Sequence, residues 1–120
     1  RIDVVYTITC MTYDGTDIYC DLIIPKKLKI DIEYEDDNII AFRHTKPYWQ
    51  THIVVTPKKH VDSLLTVTPT VLEDLHNVIK IISEKVLITE KACGILTNLG
   101  DYQDSKHLHF HVYSGMRLHD

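Results

Sequence analysis

The chain has 120 residues, 44% apolar and 25% charged, and 13 Lys+Arg against 17 Asp+Glu give a formal net charge of −4. This is enough chain and enough apolar residue for one packed domain, which excludes a disordered protein. No apolar run approaches the roughly 20 residues of a membrane-spanning helix, and mild acidity argues against a protein that coats nucleic acid. Neither a membrane nor a nucleic acid is therefore an expected partner, although one small phosphate-bearing ligand fits a local electropositive site. The cysteines, at 10, 20 and 93, are odd in number and widely spaced. That is a poor disulfide framework and points to a reducing, cytoplasmic setting. Residues 1–10 lack the long apolar segment of a secretory signal. Residues 1–13 are read as an N-terminal extension and 14–120 as a single domain. Histidine is over-represented, with eight in the chain and three within five positions.

In chain order, Asp14-Gly15-Thr16-Asp17 reads as a turn and helix start. Ile18, Leu22 and Ile23 then give a short amphipathic helix that Pro25 ends. From Leu28 to Glu35 apolar and charged residues alternate, which predicts a half-buried strand. Asp36-Asp37-Asn38 is turn chemistry, and Asn38–Arg43 returns as the second strand of a hairpin. His44–Gln50, with Pro47, reads as a loop, and His52–Thr56 as a third strand stopped at Pro57. Thr68 is a helix cap and Pro69 a first helical residue. Val71, Leu75, Val78 and Ile82 carry the helical period, to about Leu87. Gly94–Leu99 is a fourth strand, Gly100–Lys106 a polar loop and His107–Ser114 a fifth strand. The pattern predicts an α+β fold with an about five-stranded, mainly antiparallel sheet, one long helix and one short helix.

The sharpest signal is His107-Leu108-His109-Phe110-His111-Val112-Tyr113. In a strand the three imidazoles face one way, and Leu108, Phe110 and Val112 face the core. Successive imidazoles then sit about 6.6 Å apart. Three in a row cannot share one zinc, whose ligands lie within about 2.1 Å of it; two could, with help from elsewhere, but the spacing disfavours a zinc enzyme. The row suits an extended, multi-oxygen anion. A neutral central imidazole can act as nucleophile. Its neighbours can donate hydrogen bonds or handle the proton of a leaving group.

This segment resembles the His-φ-His-φ-His-φ-φ signature of the histidine triad family of nucleotide hydrolases and transferases. Tyr34–Phe42 is similar to that family's first hairpin. Thr51–His60 is similar to its T-H-x-φ-φ-x-P-K-x-H strand and loop. Asn98-Leu99-Gly100 is similar to its N-x-G, and Gln103 to its loop glutamine. The likeness runs from about residue 17 to 118 in the right order. It implies cleavage at the α-phosphate of a nucleotide, a phosphoramidate or a dinucleotide, through a covalent nucleotidyl-histidine. By resemblance His109 is the nucleophile, the His107 carbonyl orients it, His111 contacts phosphate, and His52 packs beside the triad. Asn98 and Gln103 match polar residues near the phosphates. The resemblance implies no metal or other cofactor in the reaction, and a homodimer with its two sheets joined edge to edge.

Two departures bear on the ligand. His44 stands where the family places its ribose-binding Asp or Asn. One imidazole can form one ribose hydrogen bond but cannot accept from two hydroxyls as a carboxylate does. Asp104 stands where many members carry Ser or Thr, in a loop about two residues shorter, which leaves Ser105 to take that role. These departures keep open a second reading, a nucleotide- or phosphate-binding module with little turnover. Cys20 matches the second Cys of a Cys-x-x-Cys that holds structural zinc in some relatives, with Asp17 in the first position. Asp17, Cys20, His60 and one more ligand could hold zinc, or Cys20 is a lone buried thiol. Cys93 reads as packing, Lys58-Lys59 as a solvated pair, and Asp31, Glu33, Glu35, Asp36 and Asp37 as a solvated acidic face. Tyr48 and Trp49 are read as lining a base pocket, making a dimer contact or anchoring the loop. His76 is placed on the surface, and His119 carries no reading of its own.

Overall fold

The structure, a computed structural model, describes residues 18–119. The expected extension and the helix start at 14–17 lie outside the described residues. The short helix, α1 (Tyr19–Ile23), is a single wide turn in which the Ile24 N–H donates to the Tyr19 carbonyl, 2.8 Å away and five residues back. Pro25, without an N–H, cannot extend it. The wide turn buries Tyr19, Cys20 and Ile23 and leaves Ile18 and Leu22 exposed, a shift from the expected apolar face.

The strands are β1 (Ile32–Glu35), β2 (Ile39–Arg43), β3 (Trp49–Pro57), β4 (Gly94–Leu96) and β5 (Phe110–Arg117). The long helix, α2 (Pro69–Glu90), lies between β3 and β4. All pairings are antiparallel, in the order β1-β2-β3-β5-β4. The α+β architecture is the expected one, with shifted boundaries. β1 starts at Ile32, not Leu28, because Leu28 and Ile30 pack against the core beneath α1. β3 begins at Trp49, whose partner is Arg117, so the loop before it is shorter than Pro47 suggested. β4 ends at Leu96 rather than Leu99. β5 starts three residues later than His107 and ends three later than Ser114.

Thr68 caps α2 by accepting from the Val71 N–H at 3.3 Å. The helix stripe Leu75, Val78, Ile82 and Val86 packs on Ile39, Ala41, Ile53, Val55, Leu108 and Val112. Full burial of each such aliphatic side chain contributes about 1.5–3 kcal/mol. The other sheet face, Ile40, Phe42 and Val54, packs under α1. Covering both faces explains why β2 reads as an unbroken apolar run. The long helix thus closes one face, and the short helix leaves room on the other for a cavity.

The expected solvated charges are partly engaged. Lys58 is buried, with its ammonium 2.7 Å from Glu35, which also pairs with Lys26 at 2.6 Å. Glu33 meets Arg43 at 2.8 Å and Lys85 at 3.0 Å. Asp36 accepts from the N–H groups of Asn38 and Ile39, closing the hairpin turn. His76 is exposed and Cys93 packs at the edge of the core. No described helix is long and apolar enough to cross a membrane.

Candidate active site

The segment that carries His107 and His109 lies just before β5 and is fixed by bonds from outside the sheet ladder. The Leu108 N–H donates to the Val61 carbonyl at 2.7 Å. Thr56 Oγ1 donates to the Leu108 carbonyl and Thr97 Oγ1 to the His109 carbonyl, each at 2.7 Å. Leu108 turns into the core under α2, and the histidines turn to the α1 face, where the Tyr19 ring meets those of His107 and His109 at 5.2 and 5.0 Å. The expected facing of the side chains therefore holds although the first two histidines precede the strand.

The tautomers follow from partners that can play only one role. His107 Nε2–H donates to the Pro57 carbonyl at 2.7 Å. His109 Nδ1–H donates to the His107 carbonyl at 2.7 Å, which leaves its Nε2 with a lone pair. The Tyr48 N–H donates to His52 Nδ1 at 3.0 Å. His52 Nε2 must then carry the hydrogen, and it donates to His111 Nδ1 at 2.7 Å. His111 is left with its own Nε2–H as a donor. One backbone amide thus sets the proton positions of two imidazoles in series.

Burial pushes His52 down to about 4, helped by neighbouring His44 and His109. Burial pushes His111 to about 3, helped by His109, His52 and His44. Both rings stay neutral at pH 7, as the relay requires. The sign of the linkage is fixed. Above about pH 6.5 neither the folded nor the unfolded chain protonates these rings, whereas below it the unfolded chain takes up protons the folded one refuses. Stability should therefore fall as pH drops from about 6.5 towards 4, by at most about 1.4 kcal/mol per pH unit per ring and less where solvent screens the charge. A lower urea midpoint at pH 5 than at pH 7 is the expected result.

A cavity of about 810 Å³ opens beside the triad, lined by His109, His111, His44, Asn98, Asp104 and Ser105 among others. His107 and His52 are buried behind its wall. Gln103 is not among its lining residues. Its side-chain N–H₂ donates to the Asp62 carbonyl at 2.7 Å, and it anchors the loop instead. Ser105 Oγ is buried without a hydrogen-bond partner among the described residues, an arrangement that a ligand oxygen would relieve. Tyr48 and Trp49 line the cavity. Trp49 stacks on Tyr113 at 4.1 Å, and the Arg117 guanidinium lies 4.9 Å from its ring centre. His119 meets the Tyr48 ring edge-on at 4.5 Å. Arg117, Tyr19, Thr56 and Thr97 were missed in the sequence. The only available signal for Arg117 was its place just beyond the triad strand, and its pairing opposite Trp49 supplies the rest.

A second cluster lies behind the triad. Cys20 Sγ is 3.7 Å from His107 Nδ1 and 3.9 Å from His60 Nδ1. Three such donors could hold a metal ion. Both rings are anchored through their far nitrogens, His107 on Pro57 and His60 on Asp62 at 2.9 Å, as metal-binding imidazoles usually are. The sulfur does not fit: Cys20 is disulfide-bonded, against the expectation of unpaired thiols, and Asp17 lies outside the described residues. A thiolate ligand here requires reduction first.

Comparison with known proteins agrees with this geometry. The family model described as "HIT domain" matches residues 22–118. An uncharacterized HIT-like protein of Helicobacter pylori is 32% identical over 83 residues, covering 68% of this chain and 80% of its own length. A counterpart in Synechococcus elongatus is 34% identical over 100 residues, covering 80% and 88%. Among solved structures, a HIT family hydrolase from Clostridium thermocellum superposes with a TM-score of 0.75 at 28% identity, covering 89% of this chain and 96% of that one. A hypothetical histidine triad nucleotide-binding protein from Sulfolobus tokodaii gives 0.71 at 30% identity, covering 78% and 65%. With nearly the whole described chain inside the family match and the three histidines on the cavity side of its sheet, this protein belongs to the HIT domain family.

Proposed function

We propose that the protein is a nucleotidyl hydrolase or transferase that cleaves at the α-phosphate of a nucleoside phosphoramidate or dinucleotide, with His109 as nucleophile. The observation that carries this reading is the bond from His109 Nδ1–H to the His107 carbonyl, which leaves the Nε2 lone pair at a residue lining an open cavity. In the first step Nε2 attacks phosphorus, an N–P bond forms and the P–N or P–O bond to the leaving group breaks. The leaving group takes a proton from solvent. The ring, still holding Nδ1–H, becomes an imidazolium that the His107 carbonyl dipole stabilises. In the second step water attacks phosphorus and releases a proton, the N–P bond breaks and the nucleoside monophosphate leaves. His111 Nε2–H and Asn98, both on the cavity wall, supply donors to the phosphate oxygens. Neutral His111 acts as a donor and does not surrender its proton.

The experiment is incubation with a nucleoside phosphoramidate. Release of nucleoside monophosphate, undiminished by chelators, is the expected result. Ligand-induced stabilisation without turnover would favour the binding module, and chelator-sensitive turnover would favour a metal enzyme.

The proposed assembly is a homodimer joined through β4. Of the two sheet edges, β1 carries Glu33 and Glu35, and charge on an edge opposes strand pairing. β4 is uncharged, with Ile95 49% exposed, and α2 leaves Ile88 76% exposed near its C-terminal end. Ile95→Asp should weaken the dimer by at least about a hundredfold, read by light scattering across a dilution series.

A further inference from the structure

We propose that His44 faces the ligand as a hydrogen-bond donor only, so that the site takes 2′-deoxynucleotides about as readily as ribonucleotides. This rests on the reading of the cavity as a nucleotide site. The Lys46 N–H donates to His44 Nδ1 at 3.0 Å, so that nitrogen carries no hydrogen and Nε2 does. Nε2–H has no protein partner among the described residues, and the ring lines the cavity. The ring is held flat, stacked on His52 at 4.4 Å between ring centres with their planes 24° apart. It stands 6.3 Å from His111 and 5.7 Å from Tyr48, within one sugar's length of a phosphate seated at the triad.

The surroundings also favour the neutral ring, in which Nδ1 accepts and Nε2 donates. Burial and the positive charge that His109 can carry push His44 below the ordinary imidazole range, against the opposite pull of Asp104 across the cavity. Stacking on neutral His52 leaves the ring in a hydrogen-bonding role.

A lone N–H asks only for an oxygen lone pair. A hydroxyl, a ring ether or a phosphate ester oxygen supplies one equally well. It cannot accept the hydrogens of two neighbouring hydroxyls, which is how a site measures a cis-diol. Removing one hydroxyl from the ligand therefore leaves no buried acceptor unpaired on the protein and costs at most one neutral hydrogen bond.

The test is titration calorimetry with AMP, dAMP, GMP and dGMP at pH 7.5, on the wild-type chain and on His44→Asp and His44→Gln. The expected result is that each ribo and deoxy pair binds the wild type within about tenfold. His44→Asp, which restores two acceptors, should widen the gap beyond about tenfold by favouring the ribonucleotide. His44→Gln, whose carbonyl can take the Lys46 N–H while its N–H₂ faces the ligand, should behave as the wild type. A wild-type preference for ribonucleotides of tenfold or more, or a gap unchanged in His44→Asp, overturns the inference while leaving the nucleotide reading standing. Binding of none of the four nucleotides overturns both.

Discussion

His109→Ala should lower kcat/KM for a nucleoside phosphoramidate by at least about 10⁴-fold, the scale on which removing a nucleophile abolishes covalent catalysis. The loss should fall on kcat. The donors expected to hold the phosphate, His111 Nε2–H among them, do not depend on the His109 ring for their tautomer, because that is set through His52 from the Tyr48 amide. Dissociation constants for the monophosphate product should therefore change by less than about tenfold, since those donors stay in place when the His109 ring is removed. The measurement is steady-state kinetics beside product titration. Turnover that survives in His109→Ala would place the chemistry on another group.

The second large effect is expected at His52, which lies outside the cavity. In His52→Phe the Tyr48 N–H loses its acceptor and His111 Nδ1 loses its donor. His111 is then free to take the other tautomer and present a lone pair, not a hydrogen, to the phosphate. A fall in kcat of about 10²-fold is expected, the usual cost of losing one preorganised donor. The unpaired, partly buried amide adds a stability loss of at most about 1–3 kcal/mol. His52→Gln discriminates position from bulk. Its carbonyl can accept from Tyr48 and its N–H₂ can donate to His111, so it should recover most of the activity lost in His52→Phe. Equal kcat values in the two variants would mean that His52 serves only as packing.

The α+β order, the helix cap at Thr68 and the facing of the histidines were legible because each is written in local pattern. Alternation from His107 to Tyr113 reports which way side chains face. It does not report which backbone groups pair, so it extended the strand over residues that bond instead to Val61, Thr56 and Thr97. β3 was underread because Trp49 and Gln50 join it through pairing with β5, a contact more than sixty residues away in sequence. The same distance hid Arg117 and Tyr19 from the site. Gln103 looked like a ligand residue on its loop, and only the fold shows its amide turned to Asp62. Lys58 looked solvated from its Lys-Lys context, while β1 brings Glu35 to it. The Cys20 disulfide was illegible in a count of three widely spaced cysteines.

The central claim is that His109 Nε2 forms a bond to phosphorus. Rapid quenching of the wild-type chain with excess nucleoside phosphoramidate, followed by intact and peptide mass measurement, tests it most directly. The account predicts a nucleoside monophosphate adduct that maps to His109, forms within one turnover and decays as product appears. Steady turnover with no adduct on any histidine at the earliest quench times, or an adduct on His111 instead, would contradict it.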